Sequence, residues 1–282
     1  MKVKVRIARL SVISNTVLII MKLAVGLISG SVSIISEAIH STMDLLAAII
    51  AFFTVRVSDT PPDAKHPYGH GKYENISGVI EAILIFIAAV WIVFEAIKKI
   101  IHPGEIESIG FGSLVMFISA IINTLVSRQL YKVARKTNSL ALEADALHLK
   151  TDVITSLGVG LGLLLIWITG LTYLDPVVAI LVALLIFWES YKLLMRAFNP
   201  LLDVSWEEEE LEQLYSRLNG MNINYSNLRT RKSGNYRFLE FTMTMPENLT
   251  LQEISERTRN IEQDIHPHFE NLSVTIKTIP GK

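Results

Sequence analysis

An α-helical membrane domain of six transmembrane helices followed by a small α/β domain is the fold class this sequence predicts, on three observations. Half of the 282 residues are hydrophobic and only 19% are charged, whereas soluble globular chains carry about 25% charged residues. The deficit is uneven: charges are sparse from Leu10 to Leu202 and dense from Glu207 to Lys282. Within the sparse region, six apolar stretches each reach the ~20 residues that cross a bilayer. The expected organisation is a membrane domain over 1–203 and a second domain over 204–282.

The first span is expected near Leu10–Ile28 and the second near Val32–Val57, separated by Gly30-Ser31. Ser58–Tyr73 is polar and holds Pro61, Pro62 and Pro67, so it reads as a loop. The third span, Ser77–Ile100, ends at His102-Pro103-Gly104, and the fourth, Phe111–Val133, is followed by Lys136-Thr137-Asn138. The fifth, Leu142–Thr169, and the sixth, Pro176–Phe198, flank a short turn through Thr169-Gly170 and Asp175-Pro176. Gly158, Gly160 and Gly162 in the fifth span suit close helix contact.

Beyond the spans, Trp206–Tyr215 reads as an amphipathic helix with acids in its first turn. The run Glu207–Glu210 is read as a solvated helix start. Asn227–Ser233 is basic, Tyr236–Met245 alternates as a strand, Leu251–Phe269 reads as a helix and Leu272–Ile279 as a last strand.

The formal net charge of −1 suggests no nucleic-acid partner. With no cysteine in the chain, any metal must be held by His, Asp or Glu, which suits borderline to hard divalent cations. The basic start MKVKVRIARL lacks a small-residue cleavage site after it, so the apolar run is read as a retained span. Lys2, Lys4, Arg6, Arg9, Arg56, Lys65, Lys72, Arg128, Lys132, Arg135, Lys136, Lys192 and Arg196 fall on one side when six helices are threaded. That side is expected to be cytoplasmic, with both termini inside. Lys98 and Lys99 are the exception. A multi-pass protein of a prokaryotic inner membrane is expected.

Ionisable groups inside a span are costly, at about 2.5–3.5 kcal/mol each on insertion scales, and mark function. The second span contains His40 and Asp44; the fifth contains His148 and Asp152. Residues four apart share one helix face about 6 Å apart along the axis. Each helix thus offers an imidazole and a carboxylate to one partner. Two such helices face to face supply a tetrahedral set, the geometry zinc prefers. One such pair reads as a local polar contact; two matched pairs in separate spans read as a metal site. Glu81, Asn123 and Glu95 are weaker candidates for helix packing or for lining a path.

These residues resemble the cation diffusion facilitator family of metal/proton antiporters. The resemblance rests on the segment from Gly30 through His40 to Asp44, on the loop His66-Pro-Tyr-Gly-His70-Gly-Lys72, and on Glu143-Ala-Asp-Ala-Leu-His148-Leu-Lys-Thr-Asp152. It covers nearly the whole chain, and implies a transport site at His40, Asp44, His148 and Asp152. A His at the first of these positions is associated in the family with zinc preference. The resemblance also implies a possible second zinc site at Asp63, His66 and His70. As a bare pattern in the sequence, the two histidines equally brace a Pro/Gly-rich loop. Lys72 and Asp203 match a charged interlock of the family's homodimer. The tail is expected to have the family's metallochaperone-like αββαβ fold. There the resemblance aligns the bridging zinc ligands with Ser226, Ser255, Lys277 and Ile279, which are poor ligands, so the family's zinc pair is not expected. A tail site through His266 and His268 is a minor alternative.

The expected function is efflux of a divalent transition metal, zinc first, with iron, manganese, cobalt and cadmium as alternative substrates. The ion moves in exchange for protons across a lipid bilayer, by alternating access in a homodimer. No resident cofactor is expected. A metal-selective channel and a non-transporting membrane sensor or scaffold are the competing readings. No nucleophile–base pair or phosphate loop marks an enzyme.

Overall fold

A computed structural model of the chain describes residues 2–29, 32–101, 111–171, 173–221, 223–234 and 236–281. Within these, the side chains at 2, 29, 32–37, 39, 40, 43, 111–116, 159, 160, 162–164, 166, 167 and 175 are not described. Gly30-Ser31, His102-Pro103-Gly104 and the side chain of His40 therefore lie outside the described residues.

The first 198 residues form α1 (Lys2–Ser29), α2 (Val32–Ser58), α3 (Lys72–Ile101), α4 (Phe111–Thr137), α5 (Leu140–Thr169) and α6 (Leu174–Phe198). Three stretches among the described residues, Val3–Ile28, Lys72–Ile101 and Pro176–Leu202, are long and apolar enough to cross a membrane on length and composition alone. The ionisable pairs lie on α2 and α5.

Two helices begin earlier than the apolar pattern predicts. α1 starts at Lys2, not near Leu10, and α3 starts at Lys72, not near Ser77. The reason is a buried polar knot. Lys4 Nζ donates to Asp59 Oδ1 and Glu74 Oε1, 3.1 Å each, and the hydroxyls of Ser58 and Ser139 donate to Glu74. Charges that looked like solvated flanks satisfy one another, so the helices continue through them.

The first half of α5 is central. Ala141, Leu142, Ala146 and Leu149 pack with Ala8, Val55, Val126, Leu130 and Ala134, while Ala144 and Leu147 pack with Ala82, Ile85, Ala89, Ile186 and Leu193. The alanines let backbones approach closely, as membrane helices require. Gly158 serves the same end: a Cβ there would sit 2.8 Å from Val182 of α6. The Asn138 backbone, φ 48°, turns the chain from α4 into α5.

The chain divides into two compact units, Met1–Pro61 with Tyr73–Phe198, and Pro62–Lys72 with Asn199–Lys282. In the second unit, a 3-10 turn (Asn199–Leu202) leads to α7 (Glu208–Gly220), β1 (Tyr225–Ser233), β2 (Tyr236–Met245), α8 (Leu251–Ile265) and β3 (Leu272–Pro280). This is the expected αββαβ order. β1 and β2 pair antiparallel, and the α8 crossover makes β2 and β3 parallel. Alternate residues Leu239, Phe241, Met243 and Met245 of β2 meet Leu214, Leu218, Ile261 and Ile265 of the two helices. Thr250 and Glu253 form a capping box that starts α8.

Three details of the tail differ from expectation. α7 begins at Glu208, because Trp206 is buried in the core and its indole N–H donates to the Arg231 carbonyl. The basic segment is strand β1, its Lys232 neutralised by Glu210. α8 stops at Ile265, and His266–His268 form a 3-10 turn, since the Pro267 ring cannot continue the α-helical bonding.

Candidate metal centre

Packing of α2 against α5 brings Asp44, His148 and Asp152 together. One ligand atom from each lies within 4.8 Å of the others. His148 Nε2 lies 2.9 Å from Asp44 Oδ1. Asp44 is buried, and His148 and Asp152 are half-buried. His40 stands four residues before Asp44 in α2; its side chain is outside the described set. The i, i+4 spacing of His148 and Asp152 does what the helix geometry requires, setting both on the face of α5 that meets Asp44. This donor set is chemically suited to a divalent cation: one imidazole nitrogen and two carboxylates.

A second cluster lies in the loop. One ligand atom each from Asp63, His66 and His70 lies within 4.8 Å of the others. Asp63 Oδ1 accepts the backbone N–H groups of Lys65 and His66 at 2.9 and 2.7 Å. The His66 bond, followed by that from Lys65, holds the Asp63 carboxyl below the ordinary carboxylate value. His70 Nε2 is 3.5 Å from Asp63 Oδ2, and the two imidazole rings are 4.4 Å apart. Asp63 is exposed, His66 half-buried and His70 buried.

Lys72 Nζ donates to Asp203 Oδ1 at 2.9 Å, and Arg231 approaches the same oxygen at 3.5 Å. The Lys72 hydrogen bond depresses the Asp203 pKa. The Arg231 guanidinium also lies over the rings of Tyr68 and Phe238, 4.5 and 4.4 Å from their centroids. The loop approaches the β1–β2 hairpin so closely that a Cβ on Gly71 would run into the Ser233 carbonyl, and one on Gly234 would lie 2.7 Å from Gly71 Cα.

The weaker candidates separate. Glu81 is fully buried and accepts a hydrogen bond from Ser77 at 3.1 Å; Asn123 is buried. Glu95 is exposed beside Lys98. Of the acidic run, Glu210 is fastened to Lys232 and Arg237. Burial of its carboxyl is outweighed by those two bonds, and its pKa falls. Among the described residues, His266 and His268 join no cluster of metal-ligating groups. Ser226, Ser255, Lys277 and Ile279 are all exposed.

Sequence reasoning passed over Lys22 and Asp145, both buried inside the spans. The signal was present: each is an ionisable residue within an apolar span, where such groups mark function.

Residues 8–202 match the model of the cation efflux transmembrane domain, and residues 206–280 match that of the cation efflux protein cytoplasmic domain. The chain is 32% identical over 97% of its length to the cation-efflux pump FieF of Shewanella oneidensis, covering 93% of that protein. It is 28% identical to the manganese efflux system protein MneP of Bacillus subtilis, over 95% of this chain and 92% of the relative. An uncharacterised transporter of Synechocystis is 32% identical over 92% of this chain and 85% of its own length. With a helical transmembrane domain, a three-stranded α/β tail and both domain models matched in order, this chain is a cation efflux transporter, not an enzyme, and belongs to the cation diffusion facilitator family.

Proposed function

We propose that the chain exports zinc in exchange for protons, through a transport site made of His40, Asp44, His148 and Asp152. The observation that carries this is the convergence of Asp44, His148 and Asp152 from two helices, with ligand atoms within 4.8 Å. Completed by His40, the set is two nitrogens and two carboxylates, which suits tetrahedral zinc. Manganese favours more oxygen ligands; it is the alternative, since one relative is a manganese efflux protein.

Metal and proton compete for the same atoms, because a ligand must be deprotonated to bind. Metal loads on the cytoplasmic side and displaces protons. α2 and α5 then shift against their neighbours and expose the site outside, where protons return to imidazole and carboxylate and expel the ion. Imidazole titrates near neutral pH, which suits it to this exchange. The cytoplasmic side is the one that carries the basic loops, in a prokaryotic inner membrane, and the functional unit is a homodimer. Asp63, His66 and His70 hold a second ion in the loop, and Lys72 with Asp203 forms the charged interlock of the dimer.

Liposomes with purified protein test the reading. Zinc uptake should depend on an imposed pH gradient and should be inhibited more by excess cold zinc than by manganese, cobalt, iron or cadmium. Flux indifferent to the gradient would mean a channel. Binding without flux would mean a sensor.

A further inference from the structure

The buried face of α1 is polar along most of its length. Lys4, Ala8, Ser11, Asn15, Leu18 and Lys22 are all buried, and their spacing of four and three residues sets them in one stripe. The inner end of this stripe is explained by the knot of Lys4 with Asp59 and Glu74. The far end is not explained by the transport site. Lys22 is 6% exposed, and its Nζ donates to Ser41 Oγ at 2.7 Å; Ser41 is itself 5% exposed.

Ser41 links Lys22 to the metal centre. Ser41 and Asp44 are three residues apart in α2, so they share a helix face and are about 4.5 Å apart along the axis. Asp44 in turn lies 2.9 Å from His148 Nε2. An ammonium is thus held about one helical turn from the carboxylates of the site.

We propose that Lys22 is a positioning residue of the transport cycle, a fixed positive charge that weakens the hold on the divalent cation and speeds its release. This rests on the transport-site reading above. Asp44 and Asp152 bring two negative charges, which a divalent ion cancels. The Lys22 charge attracts the empty carboxylates and gains nothing from the loaded centre, whose charge the ion has cancelled, so it favours the empty state. In a poorly polarisable interior that difference is felt across a helical turn. The hydrogen bond to Ser41 matters as well. Held on the Ser41 hydroxyl, the ammonium keeps its charge fixed beside the site.

The test measures zinc affinity of the purified full-length protein in detergent and zinc turnover in liposomes at saturating metal. Lys22→Gln should bind zinc roughly tenfold more tightly, from the loss of one nearby unit charge, and its turnover should fall by a similar factor. Lys22→Arg should behave as wild type. Damaged packing would weaken binding and turnover together, and so would not give this split. Lys22→Gln with wild-type or weaker affinity overturns the proposal. Should Lys22→Gln fail to fold, Ser41→Ala decides: untethering the ammonium should tighten binding about two- to threefold, and no change overturns the idea. Asp44→Asn separates the two levels. If it binds zinc as wild type does, the transport-site reading fails. If it loses binding while Lys22→Gln is unchanged, only the role of Lys22 fails.

Discussion

At the scale of single residues, the membrane centre depends on side chains that have no structural substitute. Asp44 is buried against His148, so its carboxylate is retained at a cost the bilayer makes large. Asp44→Asn and Asp152→Asn keep volume and hydrogen bonding but remove the charge a metal needs. Each should lower zinc transport by about 100-fold or more, because loss of even an outer partner of a ligand costs ~10–100-fold in metal affinity. Radiolabelled zinc uptake measures this. Outside the bilayer, Asp203 offers a pH prediction. The Lys72 hydrogen bond depresses its pKa below the ordinary 3.8. A depressed carboxylate contributes stability above the unfolded-state value and loses it as pH falls through the folded one. Protection of the loop amides in hydrogen exchange, corrected for intrinsic rates, should therefore persist through neutral and mildly acid pH. It should disappear only below 3.8. Lys72→Met should expose the same amides at neutral pH.

At the scale of elements, α5 does most of the positioning. Its first half is buried on two faces at once, so its rotation is set by packing and His148 with Asp152 is turned toward α2. Further along, Gly158 lets α5 approach α6 at Val182. Gly158→Leu should overpack this contact and cost about 1–3 kcal/mol. The expected result is a lower thermal midpoint in detergent, with Gly158→Ala in the same direction but milder because it adds a single methyl. In the tail, β2 is legible from alternation alone, and its observed bounds, Tyr236–Met245, are those expected. β1 was not legible as a strand. Its alternation is hidden by Arg229, Arg231 and Lys232, and it carries a bulge between Ser226 and Arg229. Only the sheet partner and Glu210 explain why that basic stretch is extended.

At the scale of the whole molecule, the basic loops are what support the proposed orientation. A chain without cysteine makes this easy to test. A single cysteine introduced at Lys2 or at Gly281 should react with a membrane-impermeant maleimide in inside-out vesicles and resist it in intact cells. Labelling of either position from outside would reverse the proposed topology. The division into units adds something that linear order did not suggest. The stretch Pro62–Lys72, between α2 and α3, belongs with residues 199–282. Its Tyr68 meets Phe238 and Arg231, and Gly71 meets Gly234.

The sequence alone determined the long apolar helices, the two helices and two of the three strands of the tail, and the His–Asp spacing of the candidate metal centre, because these depend on hydropathy and on periodicity, which are local. It could not place the ends of α1 and α3, since Lys4 and Glu74 look like solvated charges until their partners 55 and 70 residues from Lys4 are known. Nor could it bring Lys22 to Ser41, or the loop to the β1–β2 hairpin. Those contacts join residues distant along the chain, and only the packing of helix on helix and of glycine on glycine decides which charges meet.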